Sequence, residues 1–380
     1  MLTNTVFYKM IMKKYSKIIL NTVLAGSLML PVIGQAGNPD RAASAGAGQL
    51  LINPYARSSG WGGAGSSRVK GLEAMFLNVA GTAFTKKTEV MFSRTNWLGG
   101  SGININAFGM TQRVGETGAI GLGIMSLSAG DIAITTVDQP EPGQGTFAPM
   151  FLNIGLSYAK GFSDNIYGGM TLKIISEQIA NMSAKGACID AGIQYHTGKY
   201  DQIHFGIALK NVGPKMSYSG DGMSFQANIL NGTQYNGTVA GYTATFEQRA
   251  AAFELPSLLN IGGSYDFYLG GAGSDSTMGV REHRLTLAGN YTSNSFTLDQ
   301  YTLGVEYGFR QYLMLRAGYA IEKGITSTTT RVNALTGPSA GITLELPFGT
   351  EKKSSFALDY SYRATFPFSG IHSIGVRVNL

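Results

Sequence analysis

The sequence has few charged residues, a single cysteine and no long apolar stretch after its first 36 residues. Charged residues make up 14% of the 380 residues, against roughly 25% in typical soluble proteins, which argues against a soluble enzyme. Cys188 has no second cysteine with which to form an intrachain disulfide, and it lies too far from the N-terminus for a lipoprotein anchor. No later stretch reaches the ~18 apolar residues of a membrane helix, so we predict none.

Motifs for catalysis, metal binding and nucleic-acid binding are also missing. The histidines are isolated from one another and from Cys188 in sequence, without metal-ligand spacing, and we expect a structural role for His204. No nucleophile elbow or phosphate loop occurs. Lys and Arg are scattered despite a net charge of +6, which predicts no nucleic-acid partner. We predict no metal, no cofactor and no enzymatic activity. The alternative is an outer-membrane esterase whose Ser, His and carboxylate meet only on folding.

Residues 1–36 have the pattern of a secretory signal peptide. Lysines within residues 13–17 precede an apolar run over residues 18–33, and Ala36 is a small residue suited to cleavage. Met12 is an alternative start, because the residues before it add nothing to the signal. An N-terminal membrane anchor is the other interpretation, but the apolar run is shorter than the ~20 residues that span a bilayer.

Apolar residues alternate with polar or small ones from about residue 88 to the C-terminus. In residues 301–310 the aromatic and aliphatic side chains occupy odd positions, and polar residues or glycine occupy even ones, which is the period of a β-strand. The predicted strands have roughly 9–12 residues, the length of a tilted membrane crossing. We therefore predict an all-β, transmembrane antiparallel barrel, with a soluble β-sandwich as the alternative.

The alternating runs give about fourteen strands within residues 88–380, and an even number lets an antiparallel barrel close. The longest connections, residues 130–149, 214–256 and 322–337, all follow odd-numbered strands. Because outer-membrane barrels have short periplasmic turns, we predict an outer-membrane location with both ends of the barrel in the periplasm. The predicted strands span residues 88–97, 102–113, 117–129, 150–161, 165–179, 184–197, 202–213, 257–268, 283–294, 299–310, 312–321, 338–347, 354–363 and 371–380.

The polar faces of these strands carry charged residues that we expect inside the barrel. Glu306 with Arg316, and Asp359 with Arg377, are the predicted charge pairs. Their expected role is to neutralise one another in the lumen, and a substrate pathway is the less favoured interpretation. The other predicted lumen charges are Lys173, Asp190 and Asp266.

Residues 37–87 do not follow the strand pattern. They are rich in Gly and Ala, with a short predicted helix near residues 72–78. Such a segment could be disordered, or it could fill the interior of a fourteen-stranded barrel as a hatch. We favour the hatch.

Six short motifs occur in order along the chain, namely ARSSGWGGAG (56–65), LNVAG (77–81), NVGPK (211–215), ELPS (254–257), YSYR (360–363) and HSIGVR (372–377). Together they resemble the PorV/PorQ family of the Bacteroidota. That family is distantly similar to FadL, a fourteen-stranded fatty-acid transporter with an N-terminal hatch, so the resemblance implies a FadL-like barrel. The family usually has Asn-Pro-Ala in the hatch, where this sequence has Asn78, Val79 and Ala80.

The resemblance implies a non-enzymatic role in type IX protein secretion. Members of the family bind the C-terminal signal domain of cargo as it leaves the SprA (Sov) translocon, and they carry it to an attachment complex that contains the PorU sortase. Contact with outer-membrane lipid or lipopolysaccharide is also implied. The alternatives are a FadL-like channel for hydrophobic small molecules and a lipopolysaccharide deacylation factor.

The connection at residues 214–256 is the expected place for cargo binding. Aromatic residues among Gly, Ser, Asn and Thr are typical of protein-binding surfaces. A loop that merely caps the mouth of the barrel is an equal alternative. The aromatic residues are Tyr218, Phe225, Tyr235, Tyr242 and Phe246.

Overall fold

The structure, a computed structural model, describes most of the chain after residue 36. The predicted signal peptide lies outside the described residues. The described ranges are residues 37–38, 41, 44–141, 143–235, 238–269, 282–327, 329–349 and 354–380, with the backbone alone for residues 230–235 and 238–241.

None of the helices in these ranges is both long and apolar enough to cross a membrane.

The described residues form nineteen β-strands and short helices. The helices are α1 (Ala56–Ser59), α2 (Ala74–Leu77) and the 3₁₀ turns Gly48–Leu51, Val79–Phe84 and Asp221–Met223. The strands are β1 (Thr88–Asn96), β2 (Asn104–Val114), β3 (Gly118–Ser128), β4 (Ile132–Ala133), β5 (Thr146–Phe147), β6 (Met150–Gly161), β7 (Ile166–Ile179), β8 (Met182–Thr197), β9 (Ile203–Val212), β10 (Tyr218–Ser219), β11 (Ser224–Tyr235), β12 (Thr238–Glu247), β13 (Leu258–Leu269), β14 (His283–Asn294), β15 (Gln300–Phe309), β16 (Leu313–Glu322), β17 (Gly337–Phe348), β18 (Ser354–Arg363) and β19 (Ile371–Asn379).

Fourteen of these strands form one closed antiparallel barrel. Each pairs with its neighbours along the chain, and β1 pairs with β19 to close the ring. The barrel strands are β1–β3, β6–β9 and β13–β19. The predicted barrel is thereby confirmed, and every predicted strand end lies within about two residues of the observed one. The backbone N–H of Leu380 donates to the carbonyl of Thr88 at 2.9 Å, so both ends of the barrel meet at one rim.

The two faces of the barrel have the polarity of a membrane protein. In β15 the side chains of Thr302 and Glu306 are buried, whereas Leu303 is 56% exposed and Val305 is 40% exposed. A soluble sandwich would bury the aliphatic side chains and expose the charged ones. The outward apolar face therefore matches a lipid environment, and the inward polar face lines the lumen.

The connection between β9 and β13 contains more structure than the predicted loop. Its residues Ser224–Tyr235 and Thr238–Glu247 pair as an antiparallel hairpin, β11–β12. A further short strand, β10, extends the barrel sheet by pairing with the end of β8. The sequence predicted only a long connection over residues 214–256, and the structure shows a hairpin within it because alternating residues in both arms let them pair.

Strand register decides which lumen charges pair. Arg316 lies directly opposite Glu306 in β15–β16, and its Nε donates to Glu306 Oε2 at 2.5 Å, as predicted. The predicted Asp359–Arg377 pair is wrong. Arg377 of β19 lies opposite Ala357 of β18, which in turn lies opposite Glu345 of β17. The Arg377 guanidinium contacts Glu345 Oε2 at 3.0 Å.

Candidate functional site

The predicted hatch covers residues 37–87, and its continuously described part, residues 44–87, is called the hatch below. It lies against the inward face of the barrel. The Gln49 amide donates to Glu177 Oε1 on β7 at 2.8 Å. Ser67 Oγ donates to Ser264 Oγ on β13 at 3.1 Å. The N–H of Leu72 donates to Glu89 Oε1 on β1 at 3.1 Å. Because these strands lie on different sides of the ring, the hatch spans the lumen. This is the arrangement predicted for a hatch that fills the interior of the barrel.

Inward-facing glycines let the hatch lie directly on the barrel wall. A Cβ on Gly304 would lie 2.8 Å from Ala64 Cβ, closer than van der Waals contact. Gly318 lies against the Trp61 carbonyl, with no room for a Cβ. The glycines on the polar faces of the strands therefore create the space that the hatch occupies.

A buried ion-pair network fixes the centre of the hatch. The Arg68 guanidinium contacts Asp266 Oδ2 at 3.0 Å and Glu306 Oε1 at 3.3 Å. Glu306 also accepts from Arg284 and Arg316. Charges buried at this depth are tolerated only when they are paired and hydrogen-bonded. The network therefore specifies one position for the hatch.

The hatch carboxyl of Glu73 is buried and has a raised pKa. Burial raises the pKa of Glu73 to about 7, although the Arg57 guanidinium opposes this shift. Its Oε1 has no hydrogen-bond partner in the described part of the chain. The surroundings of Glu73 therefore favour its protonated form more than water does.

The predicted hatch residues Asn78, Val79 and Ala80 form a buried turn against the wall. The Asn78 amide donates to the carbonyl of Ile193 at 3.0 Å, and its Oδ1 accepts from the N–H of Ala80 at 3.2 Å. Val79 is the first residue of a 3₁₀ turn, where the N–H needs no helical partner and proline also fits. Asn78 has extended φ and ψ of −157° and 103°, which suit a residue before proline. Valine in place of proline is therefore compatible with this geometry.

A cavity of about 430 Å³, which we call the mouth cavity, lies at the end of the barrel opposite the chain termini. It lies between the first turn of the hatch and the ends of β3, β6 and β7. Its walls are largely aliphatic and aromatic, and Gln49, Glu177 and Tyr218 supply the polar groups. Its size falls within the usual range for small-molecule sites. The lining residues are Ala45, Gly46, Ala47, Gly48, Gln49, Leu127, Phe151, Glu177, Ile179, Tyr218 and Phe253.

A smaller cavity of about 60 Å³ lies deeper, between the hatch and the same wall. Gln49 lines both cavities, and its hydrogen bond to Glu177 joins hatch to wall at their boundary. Met75 and Phe76 of the hatch line the inner cavity, together with backbone at Gly123 and Gly155. The hatch–wall interface thus contains two apolar spaces with a polar contact between them.

The structure separates the aromatic residues predicted for cargo binding. Tyr218 lines the mouth cavity, and its hydroxyl donates to Glu177. Phe225, Tyr242 and Phe246 lie together on one exposed face of the β11–β12 hairpin. Tyr235 is in β11, but its side chain is outside the described residues. The prediction therefore combined two sites, a cavity wall and an exposed hairpin.

The sequence motifs at residues 211–215 and 254–257 meet beside the mouth cavity. Asn211 has a left-handed φ of 59°, and its amide donates to the carbonyl of Pro256 at 3.0 Å. Glu254 Oε2 contacts Arg41 at 2.6 Å, and Oε1 contacts Lys215 at 3.2 Å. These contacts fix the two ends of the long connection to each other and to the chain before the hatch.

Two histidines lie beneath the hatch at the rim that carries the chain termini. His204 Nε2 lies 3.4 Å from Asp266 Oδ2, and Ser264 is opposite His204 in register. Ser264 Oγ instead accepts from Ser67, and no serine hydroxyl is hydrogen-bonded to His204 in the part of the chain described. His196 packs edge-on against His204 at 4.4 Å. The absence of enzymatic activity stays a prediction.

Neither a family model nor a curated protein matches this sequence. Solved structures do match. The toluene transporter TodX of Pseudomonas putida is 12% identical over 86% of this chain and 97% of its own, with a TM-score of 0.50. The toluene transporter TbuX of Ralstonia pickettii is 11% identical over 87% and 98%, with a TM-score of 0.50. A FadL homologue of Pseudomonas aeruginosa is 13% identical over 86% and 98%, with a TM-score of 0.48. The two toluene transporters establish the barrel fold, whereas membership of the PorV/PorQ family stays a prediction.

Proposed function

We propose that this protein is an outer-membrane channel for small hydrophobic molecules. The mouth cavity carries the proposal, because it is an apolar space of ligand size at the end of a barrel whose outer face suits lipid. The toluene transporters TodX and TbuX share the fold. An apolar solute gains free energy by leaving water for such a cavity. The end of the barrel with the mouth cavity would face outward, and the chain termini would face the periplasm.

The hatch determines how a solute would continue from the mouth cavity. Its side chains and backbone occupy the lumen, so onward passage requires part of the hatch to move. The first turn of the hatch, Gly48–Leu51, lies between the two cavities, where the Gln49 amide bonds to Glu177 and Leu50 packs with Ile175 and Cys188 of the wall. This turn is the segment whose displacement would connect the mouth cavity to the inner cavity.

Replacing Gly48 with tryptophan is expected to block uptake. A Cβ on Gly48 meets no atom within 4 Å, and Gly48 lines the mouth cavity, so an indole at this position has open space into which it can extend. Uptake of radiolabelled toluene by cells that express the protein should fall about tenfold, as expected if a cavity-filling side chain excludes the solute. The matched control, Gly48→Ala, leaves most of the volume open and should behave like the wild type. Equal uptake by all three proteins, at equal surface amounts, would contradict the proposed function.

A second candidate function is the cargo shuttle of type IX secretion, and the β11–β12 hairpin favours it. Phe225 is 52% exposed and Tyr242 is 56% exposed on the same face as Phe246. Within the described strands, the outer edges of β11 and β12 have no partner. Exposed aromatic clusters and free strand edges are common features of protein-binding surfaces. The partners would be cargo signal domains, the SprA translocon and the PorU attachment complex.

The shuttle candidate predicts that the hairpin face binds cargo. Changing Phe225, Tyr242 and Phe246 together to serine should reduce capture of a purified cargo signal domain at least about tenfold, because buried aromatic anchors dominate such interfaces. The Gly48→Trp protein should retain full capture. Equal capture by the triple variant and the wild type would remove the hairpin from this role. The same pair of variants also separates the two candidate functions.

A further inference from the structure

We propose that Glu177 makes the mouth cavity selective for apolar molecules with a hydrogen-bond-donating head group, such as a hydroxyl or amine. Carboxylates of the same size would be rejected. This inference rests on the proposed channel function and identifies its substrate class. It depends on three features of Glu177, namely its hydrogen-bond partners, the lack of a cationic partner among the described residues, and its apolar surroundings.

The partners of Glu177 are hydrogen-bond donors. Oε1 accepts from the Gln49 amide at 2.8 Å, and Oε2 accepts from the Tyr218 hydroxyl. An ionised carboxylate accepts at about four lone-pair positions and donates at none. Two of these positions are occupied here, so Glu177 can accept a further bond from a solute without releasing the hatch.

No cation neutralises Glu177 in the described part of the chain. The ion pairs found there involve other carboxylates, such as those of Asp190, Glu254 and Glu306. Glu177 is only 3% exposed, so water screens its charge poorly. A second carboxylate brought into the mouth cavity would meet this charge at short range and would be disfavoured.

The remainder of the mouth cavity suits an aromatic or aliphatic body. Phe253 and Tyr218 pack with ring centroids 5.8 Å apart, and Leu127, Phe151 and Ile179 complete the apolar lining. A solute with an aromatic ring can bury it against these side chains and present its donor to Glu177. An amine would gain additional attraction from the charge and from the faces of the aromatic rings.

The test compares three solutes of similar size with the purified, detergent-solubilised full chain by equilibrium dialysis. The solutes are ethylbenzene, 4-ethylphenol and 4-ethylbenzoate, measured at about pH 7, where the phenol is neutral and the benzoate is ionised. The wild type should bind 4-ethylphenol at least about tenfold more tightly than 4-ethylbenzoate. In Glu177→Gln, 4-ethylbenzoate should gain affinity until this difference is within about threefold. The wild type should also bind 4-ethylphenol more tightly than ethylbenzene. In Glu177→Leu, these two solutes should bind with similar affinity.

Two further variants separate charge from structure. Gln49→Leu removes the hydrogen bond from the Gln49 amide to Glu177 but keeps the Glu177 carboxylate, so this variant should still reject 4-ethylbenzoate. Glu247→Gln changes an exposed carboxylate on the hairpin and should match the wild type. An unchanged phenol-to-benzoate ratio in folded Glu177→Gln would overturn this inference while leaving the channel function intact. Failure of the folded wild type to bind ethylbenzene at all would instead count against the channel function.

Discussion

Replacing Gly318 with leucine is expected to prevent the hatch from seating in the barrel. Any side chain at this position projects into the Trp61 carbonyl, and backbone on both sides leaves neither partner free to move. Overpacking a well-filled interior typically costs about 1–3 kcal/mol, and more where the backbone must shift. Limited proteolysis should therefore cleave the hatch of the variant under conditions in which the wild-type hatch is protected.

Gly263→Leu is the matched control for this experiment. Gly263 is on the outward face of β13, where a Cβ would make ordinary contact with the Phe205 ring at 3.8 Å. This variant should keep its hatch protected and should show wild-type heat-modifiable migration on electrophoresis. Equal protection of the hatch in both variants would show that the inward glycines are not what positions the hatch.

Changing Glu306 to glutamine is expected to produce the largest loss of stability among single charge removals in the lumen. Glu306 is 1% exposed and receives contacts from Arg68, Arg284 and Arg316. Removing its charge leaves these cations without their shared partner in a buried setting, which typically costs about 3–5 kcal/mol. The free energy of unfolding, measured with urea in detergent micelles, should fall by that amount.

The control for Glu306 is Glu282→Gln. Glu282 pairs with Arg310 at 2.5 Å on the exposed rim of the barrel, where water and salt screen the interaction. This variant should unfold at the wild-type urea concentration. If both variants lost a comparable free energy of unfolding, the effect of Glu306→Gln would come from the change in net charge and not from the buried network.

Strand positions were largely predictable from sequence because each strand faces two different solvents. Lipid requires apolar side chains on one face and the polar lumen requires small or polar ones on the other, which produces an unbroken period of two. The predicted bounds of β6, β14 and β18 therefore coincide with the observed ones. The same requirement made the inward direction of Asp266, Glu306 and Arg316 predictable.

Features that depend on contacts distant in sequence were not predictable. Gln49 and Glu177 are 128 residues apart, and no sequence pattern relates them, so the mouth cavity was missed. The partner of Arg377 depends on register across three strands, which identifies Glu345 only after the strands are aligned. The hairpin did leave a signal, because Phe225 and Ile229 alternate with polar residues and Asn236-Gly237 follows, a common hairpin dipeptide.

The pairing of β1 with β19 constrains the order of assembly. These strands are the first and last of the barrel, and they form a seam of eight residue pairs. The hatch immediately precedes β1, and the inward glycines leave it little clearance from the wall. Threading a folded hatch into a finished ring would require that clearance, so we expect the open sheet to curl around the hatch. Pairing of β1 with β19 would then be the last step of assembly. It would enclose the hatch, around which the barrel had formed.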